Sequence, residues 1–111
     1  MARLAGGRLV SEAKVYDYLL NAEHPVGKAK AAYFNHFGFE ADQYVALLKA
    51  LLAHPDDNAV VQVRTNAYGL SSIVECRLKT PDGRDPCIRS VWFLENGATI
   101  QRLVTAYPAK P

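Results

Sequence analysis

Three side chains able to handle protons and anions crowd one short stretch, His24-Pro25-Val26-Gly27-Lys28-Ala29-Lys30. A neutral imidazole can take the proton of a ribose hydroxyl as a general base near pH 7. Lys28 and Lys30 can hold a phosphate, Gly27 lets the backbone approach it closely, and the N–H groups that open a helix complete such a cradle. The run is not a P-loop, because the first glycine and the Ser/Thr after the lysine are missing. A surface or turn-capping histidine and solvated lysines are the alternatives. Placement argues for an anion: a helix start carries partial positive charge, so lysines there are unfavourable unless something negative meets them.

Further along, Arg89 and Arg102 can hold a phosphate and stabilise the charge of a pentacoordinate transition state. Ion pairs with Glu75 or Glu95 are the alternative. Arg64 adds a further phosphate-binding candidate, and Phe93 can stack a base or meet a partner protein. Thr105 and Tyr107 flank the end of the last strand, and their parity puts them on the core side. His24, His36 and His54 are not at ligand spacing and no carboxylate cluster accompanies them, so no metal site is expected. No dinucleotide fingerprint or nucleophile elbow is present, and no cofactor is expected.

Three helices must position the first group. Ser11 can cap a helix with Ala13, Tyr16, Leu19 and Leu20 in a stripe. A second helix is predicted over 26–37, with Ala29, Tyr33, Phe34 and Phe37 on one face and Gly38 as its left-handed stop. Asp42 can cap a third, whose Tyr44, Leu47, Leu48, Leu51 and Leu52 recur with a helical period until His54-Pro55 ends it. Residues 1–9 read as a loose arm.

From Ala59 the period changes to two, and strands are predicted over 60–66, 72–79, 87–94 and 99–106. Asn96-Gly97 predicts a two-residue type I′ hairpin, pairing Trp92 with Gln101, Phe93 with Ile100 and Arg89 with Val104. Trp92, Leu94, Ile88, Leu103 and Tyr107 then share the core face, with Val61, Val63, Val74, Cys76 and Leu78 as the apolar rows of the first two strands. Arg64, Arg77, Lys79, Arg89 and Arg102 fall on the open face with Glu75 as the one acid, beside Val91, Phe93, Ile100 and Val104. The predicted architecture is α+β: three N-terminal helices on one face of a four-stranded antiparallel meander, in a single domain.

Composition agrees with one ordinary globular domain of 111 residues. Net charge is only +2, but residues 1–59 carry −1 and residues 60–111 carry +3, with most of the later acids in turns. No apolar run is long enough to span a bilayer and the first ten residues lack a signal peptide's apolar region, so the expectation is a cytoplasmic protein without membrane contact. Cys76 and Cys87 are expected on opposite faces of the sheet as free thiols.

Two stretches carry a resemblance. Tyr16 to Asn21 followed by Glu23-His24-Pro25-Val26-Gly27-Lys28, and the ending Ile88 to Trp92 through Arg102 to Pro108, resemble a family of small uncharacterised bacterial domains with a His-Pro-x-Gly-Lys signature. Helices followed by a four-stranded sheet ending in Val-Thr-Ala-Tyr-Pro are also similar to the barnase/EndoU/colicin/RelE-like ribonucleases, which include bacterial toxins of toxin–antitoxin type. That likeness implies metal-independent RNA cleavage on a basic sheet face. His24, Lys28, Arg89, Arg102 and Thr105 fall where such roles are filled. The expected partners are RNA and a small acidic inhibitor or antitoxin. A non-catalytic interaction module, or a homodimer using the open sheet face, is the alternative.

Overall fold

The computed structural model describes residues 3–109. In chain order the elements are β1 (Gly7–Leu9), α1 (Glu12–Lys14) continued as a π-helix (Val15–Leu19), α2 (Lys28–His36), a 3-10 turn (Ala41–Gln43), α3 (Tyr44–Asp57), β2 (Val60–Asn66), β3 (Gly69–Arg77), β4 (Cys87–Glu95) and β5 (Ile100–Pro108). The strands form one five-stranded sheet in the order β1-β5-β4-β3-β2. The α+β class stands, but the four-stranded antiparallel meander behind three N-terminal helices does not. A strand precedes the helices, and it pairs in parallel with β5, Gly7 opposite Ile100 and Leu9 opposite Arg102.

That strand comes from the segment expected to be a loose arm, of which residues 1–2 lie outside the described residues. Two glycines allow it to dock. A Cβ on Gly6, whose φ is +83°, would stand 2.6 Å from the Thr99 carbonyl oxygen, and one on Gly7 would stand 2.8 Å from the Ile100 side chain. The Gly7 N–H donates to the Thr99 carbonyl at 3.3 Å. Three residues of Gly-Arg-Leu carry no period-two pattern, so the strand left no trace in the sequence.

The β4–β5 hairpin also departs from the prediction. The Ala98 N–H donates to the Glu95 carbonyl at 3.0 Å as expected, but only Gly97 has positive φ, +81°, and Asn96 does not. These are the signs of a type II turn rather than I′, and such a turn does not follow the twist of the strands. Pairing resumes beyond Thr99, with Phe93 opposite Arg102 and Trp92 opposite Leu103, two residues from the predicted register. An irregularity between Val91 and Trp92 then sets Val91 opposite Thr105 and Arg89 opposite Tyr107. The slip of two keeps Leu103 in the core. The slip of three turns Thr105 and Tyr107 away from the predicted core side and buries Ala106 in their place.

Trp92, Ile88, Val74, Leu78 and Leu103 form the sheet's contribution to the core, against Val15, Leu19, Phe34, Phe39, Leu47 and Leu51. Burying a side chain of this kind stabilises by about 1.5–3 kcal/mol. Val61 and Val63, expected in the core, are 51% and 52% exposed. They lie on the edge strand, where the register also breaks between Val60 and Gln62.

Ser11 caps α1 as expected, accepting from the Lys14 N–H. The helix then widens: the Leu20 N–H donates to the Val15 carbonyl at 2.9 Å, five residues back. This π turn shifts the helical phase, so Val15, Leu19 and Leu20 are buried while Tyr16 is 51% exposed. In α2 the buried pair is Ala31 and Phe34, and Ala29 is exposed. Gly38 takes the expected left-handed conformation, φ +100°. Asp42 caps nothing, and α3 continues through Pro55 to Asp57 instead of ending at His54-Pro55. Side chains take carbonyls at and just before that last turn: Asn58 Nδ2 donates to His54 at 3.0 Å, Arg3 Nη1 to Asp56 at 3.0 Å and Arg8 Nη1 to Leu52 at 3.1 Å.

His54 is fully buried and ties α3 to the sheet. Trp92 Nε1–H donates to Ser90 Oγ at 2.8 Å. Ser90 therefore directs its own proton to His54 Nδ1 at 2.7 Å, and His54 Nε2–H donates to the Cys76 carbonyl at 2.8 Å. Burial holds this imidazole below its ordinary pKa of 6.5, so the chain of bonds carries a neutral ring. Cys76 itself has φ +151°. Its side chain is exposed rather than in the apolar row, and the two cysteines expected on opposite faces meet. Burial, then a hydrogen bond with the Cys76 thiol, push the Cys87 thiol up to about 12. No helix among the described residues is long and apolar enough to cross a membrane.

Candidate functional site

An open cavity of about 550 Å³ lies where α1 with its π continuation, the loop before α2, α2 itself and β5 converge. It is lined by Lys14, Tyr18, His24, Val26, Lys30, Val104 and Thr105. Of the residues singled out from sequence, His24, Lys30 and Thr105 meet here. Thr105 reaches the site because of the β5 register shift.

Tyr18, which the sequence reading passed over, is the hub. Lys30 Nζ donates to the Tyr18 hydroxyl oxygen and, at 2.9 Å, to Thr105 Oγ1. The same ammonium stands 4.8 Å from the Tyr18 ring centroid, and that of Lys14 stands 5.4 Å from it. The His24 ring packs edge-on against Tyr18 with centroids 5.2 Å apart. Lys14 and Tyr18 are four residues apart, the spacing that stacks side chains on one helix face. That spacing was the available signal.

Among the described residues no carboxylate lines this cavity, and its charge leaves a mark on the phenol. The hydrogen bond from Lys30 holds Tyr18 below the ordinary tyrosine pKa of 10.0. Burial opposes the shift, while Thr105 and the charges of Lys30 and Lys14 reinforce it.

His24 is a cap. Its Nδ1 accepts from the Val26 N–H at 3.1 Å and the Gly27 N–H at 3.0 Å, and its carbonyl accepts from the Lys28 N–H at 3.0 Å. With Nδ1 serving as acceptor, the neutral ring carries its proton on Nε2. Gly27 is needed for packing: a Cβ there would stand 2.2 Å from the Tyr18 carbonyl oxygen. Lys28, at the start of α2, is exposed and does not line the cavity.

The remaining residues lie elsewhere. Arg102 and Phe93, paired across β4 and β5, border a second cavity of about 520 Å³ with Tyr68, Asn96 and Glu95. The Arg102 guanidinium lies 5.7 Å from the Phe93 ring and 3.1 Å from Glu95 Oε1. Arg89 pairs with Glu75 at 3.4 Å and borders a third cavity with Tyr107. Arg64 faces its strand neighbour: with the Gln62 amide turned so that its oxygen meets the guanidinium, Nε and Nη2 donate to it at 2.7 and 2.9 Å. The open face is therefore less one-sided than the sequence implied, since Glu75 and Glu95 each take an arginine.

Residues 6–110 match a family model described as a domain of unknown function, DUF6883. The chain belongs to this family. No curated protein matches this DUF6883 chain. Among solved structures it is similar to a chain of the contact-dependent growth inhibition toxin–immunity protein complex from Klebsiella pneumoniae 342, with a TM-score of 0.70 and 22% identity, covering 92% of this chain and 93% of that one. At that identity the two share a fold. The DUF6883 domain thus presents a fold found in a toxin–immunity complex, with two lysines gathered around one tyrosine.

Proposed function

We propose that this DUF6883 domain is a toxin-like endoribonuclease that cleaves RNA by attack of the ribose 2′-hydroxyl on the adjacent phosphorus, leaving a cyclic phosphate. The observation that carries the reading is the convergence of Lys14, Lys30, His24 and Thr105 on Tyr18 in an open cavity that no carboxylate among the described residues lines. Two ammonium groups and a hydroxyl offer several donors to one phosphate, and a phosphorane gains more from them than the ground state does. His24 contributes Nε2–H to a phosphate oxygen. Lys28, exposed at the start of α2, draws in the backbone, and Arg102 over Phe93 takes a neighbouring nucleotide by stacking and charge. Arg89 and Arg64 extend the basic track along the sheet.

The fold shared with a chain of a toxin–immunity protein complex supports a toxin-related role. An inhibitor of this domain would be acidic, since it has to cover the lysines, and the site of action would be the cytoplasm, where RNA is. The test is incubation of purified protein with bulk RNA in EDTA, beside Lys30→Ala. Cleavage by the wild type to products ending in a cyclic phosphate, lost in the variant, is the expected result. Intact RNA after incubation with folded wild-type protein overturns the reading.

A further inference from the structure

Resting on the ribonuclease reading, we propose that Tyr18, and not His24, is the catalytic base, with its hydroxyl oxygen held by Lys30 and taking the proton of the ribose 2′-hydroxyl. The argument begins with free lone pairs. The neutral His24 ring has one basic nitrogen, Nδ1, and two backbone N–H groups occupy it. At Nε2 it has a proton to offer and no lone pair. Lys30 and Lys14 are ammonium groups with no lone pair either. Of the titratable side chains in the cavity, Tyr18 alone has an oxygen that can accept.

Three elements around the phenol favour its ionisation, through Lys30, Thr105 and Lys14, and the loop adds only the packed His24 ring. Lys14 comes from α1, His24 from the loop, Lys30 from α2, and Thr105 is the uncharged contact from β5. Both charged neighbours are cations, so each stabilises the phenolate. The lowered pKa of Tyr18 is the expected consequence. The arrangement also fixes the oxygen in place, because Lys30 holds it and Thr105 together across two elements.

The step balances. With Tyr18 ionised, the 2′-hydroxyl proton passes to its phenolate oxygen as the 2′-oxygen–phosphorus bond forms. The phosphorus–5′-oxygen bond breaks, and the leaving 5′-oxygen takes a proton from the Lys14 ammonium. Tyr18 then loses its proton to water and Lys14 regains one, leaving the protein as it began. Nothing is oxidised or reduced.

Two measurements on the full chain test the assignment. Ultraviolet titration of the phenol groups should show one tyrosine ionising ahead of the others, and Tyr18→Phe should remove that step. In steady-state cleavage of an RNA oligonucleotide, Tyr18→Phe should lower kcat by about a hundredfold or more, the range lost with a general base, with KM unchanged. A Tyr18→Phe protein that cleaves as fast as an active wild type overturns the role of Tyr18 and leaves the ribonuclease reading standing. A wild type with no early-ionising tyrosine overturns this assignment alone. A folded wild type that cleaves no RNA overturns both. Because the titration is done on the wild type, the assignment stays open to refutation even if the variant fails to fold.

Discussion

Lys30 of α2 and Thr105 of β5, 75 residues apart in sequence, are joined by a 2.9 Å hydrogen bond. With the bond from Lys30 to Tyr18, this ties the π-helix, the second helix and the last strand at one ammonium group. Lys30→Met keeps the stem and removes both bonds. It should lower stability by about 1.5–3 kcal/mol, the range for hydrogen bonds to charged groups, as read from urea unfolding. The Tyr18 phenol should also titrate closer to an ordinary tyrosine. An unchanged midpoint would mean that the link is not formed in solution.

Gly27 predicts a steric effect at a distance from the lysines. Its missing Cβ is where the Tyr18 carbonyl sits, at 2.2 Å, so Gly27→Ala must push apart the loop and the π-helix. A loss of about 1–3 kcal/mol is expected from overpacking, with the Tyr18 ring resonances displaced in an NMR spectrum. If Gly27 served only to admit a phosphate, the substitution would weaken RNA binding and leave stability alone.

His54 makes stability depend on pH. Its folded pKa lies below the ordinary 6.5 because burial disfavours the imidazolium, so below that pH the unfolded chain binds the proton more readily. Stability should be full above about pH 6.5 and decline as pH falls toward the lower folded pKa. Chemical denaturation across this window measures the slope. In His54→Leu this contribution to the slope should vanish, at the expense of stability at neutral pH, since Ser90 Oγ and the Cys76 carbonyl lose a partner.

The two thiols should differ sharply in reactivity. Cys76 is exposed, whereas the Cys87 thiol is pushed up to about 12 and has almost no thiolate at neutral pH. Brief alkylation of the native protein followed by peptide mass mapping should label Cys76 first. Equal labelling would contradict the burial assigned to Cys87.

Arg102 separates binding from chemistry. Its ion pair with Glu95 is well exposed on both sides, and such pairs contribute little. Arg102→Ala should leave the unfolding midpoint unchanged and weaken RNA binding while kcat holds. A collapse of kcat would return Arg102 to the reacting phosphate, away from the second cavity.

Much of this was legible in the sequence, and what was not has physical causes. Ser11, Gly38, Trp92 and the strand over 60–66 announced themselves through capping chemistry, left-handed geometry and period-two alternation. The strand at Gly7–Leu9 did not, because three residues cannot show a period and its partner lies across the chain. Thr105 was misplaced because one unpaired residue in β5 inverts every side chain beyond it, and no local rule marks where an irregularity falls. Tyr18 was visible as a residue but not as a centre. Its neighbours arrive from positions 14, 24, 30 and 105, and only the assembled fold brings them together.

That dispersion has a consequence in time. Synthesis runs at about 5–20 residues per second, so about 4–15 s separate the emergence of Lys30 from that of Thr105, its partner 75 residues later. β1 waits longer for β5, whose Ile100 pairs with Gly7. No nascent chain ending before Thr105 contains the complete cavity. The site cannot assemble until β5 has been made.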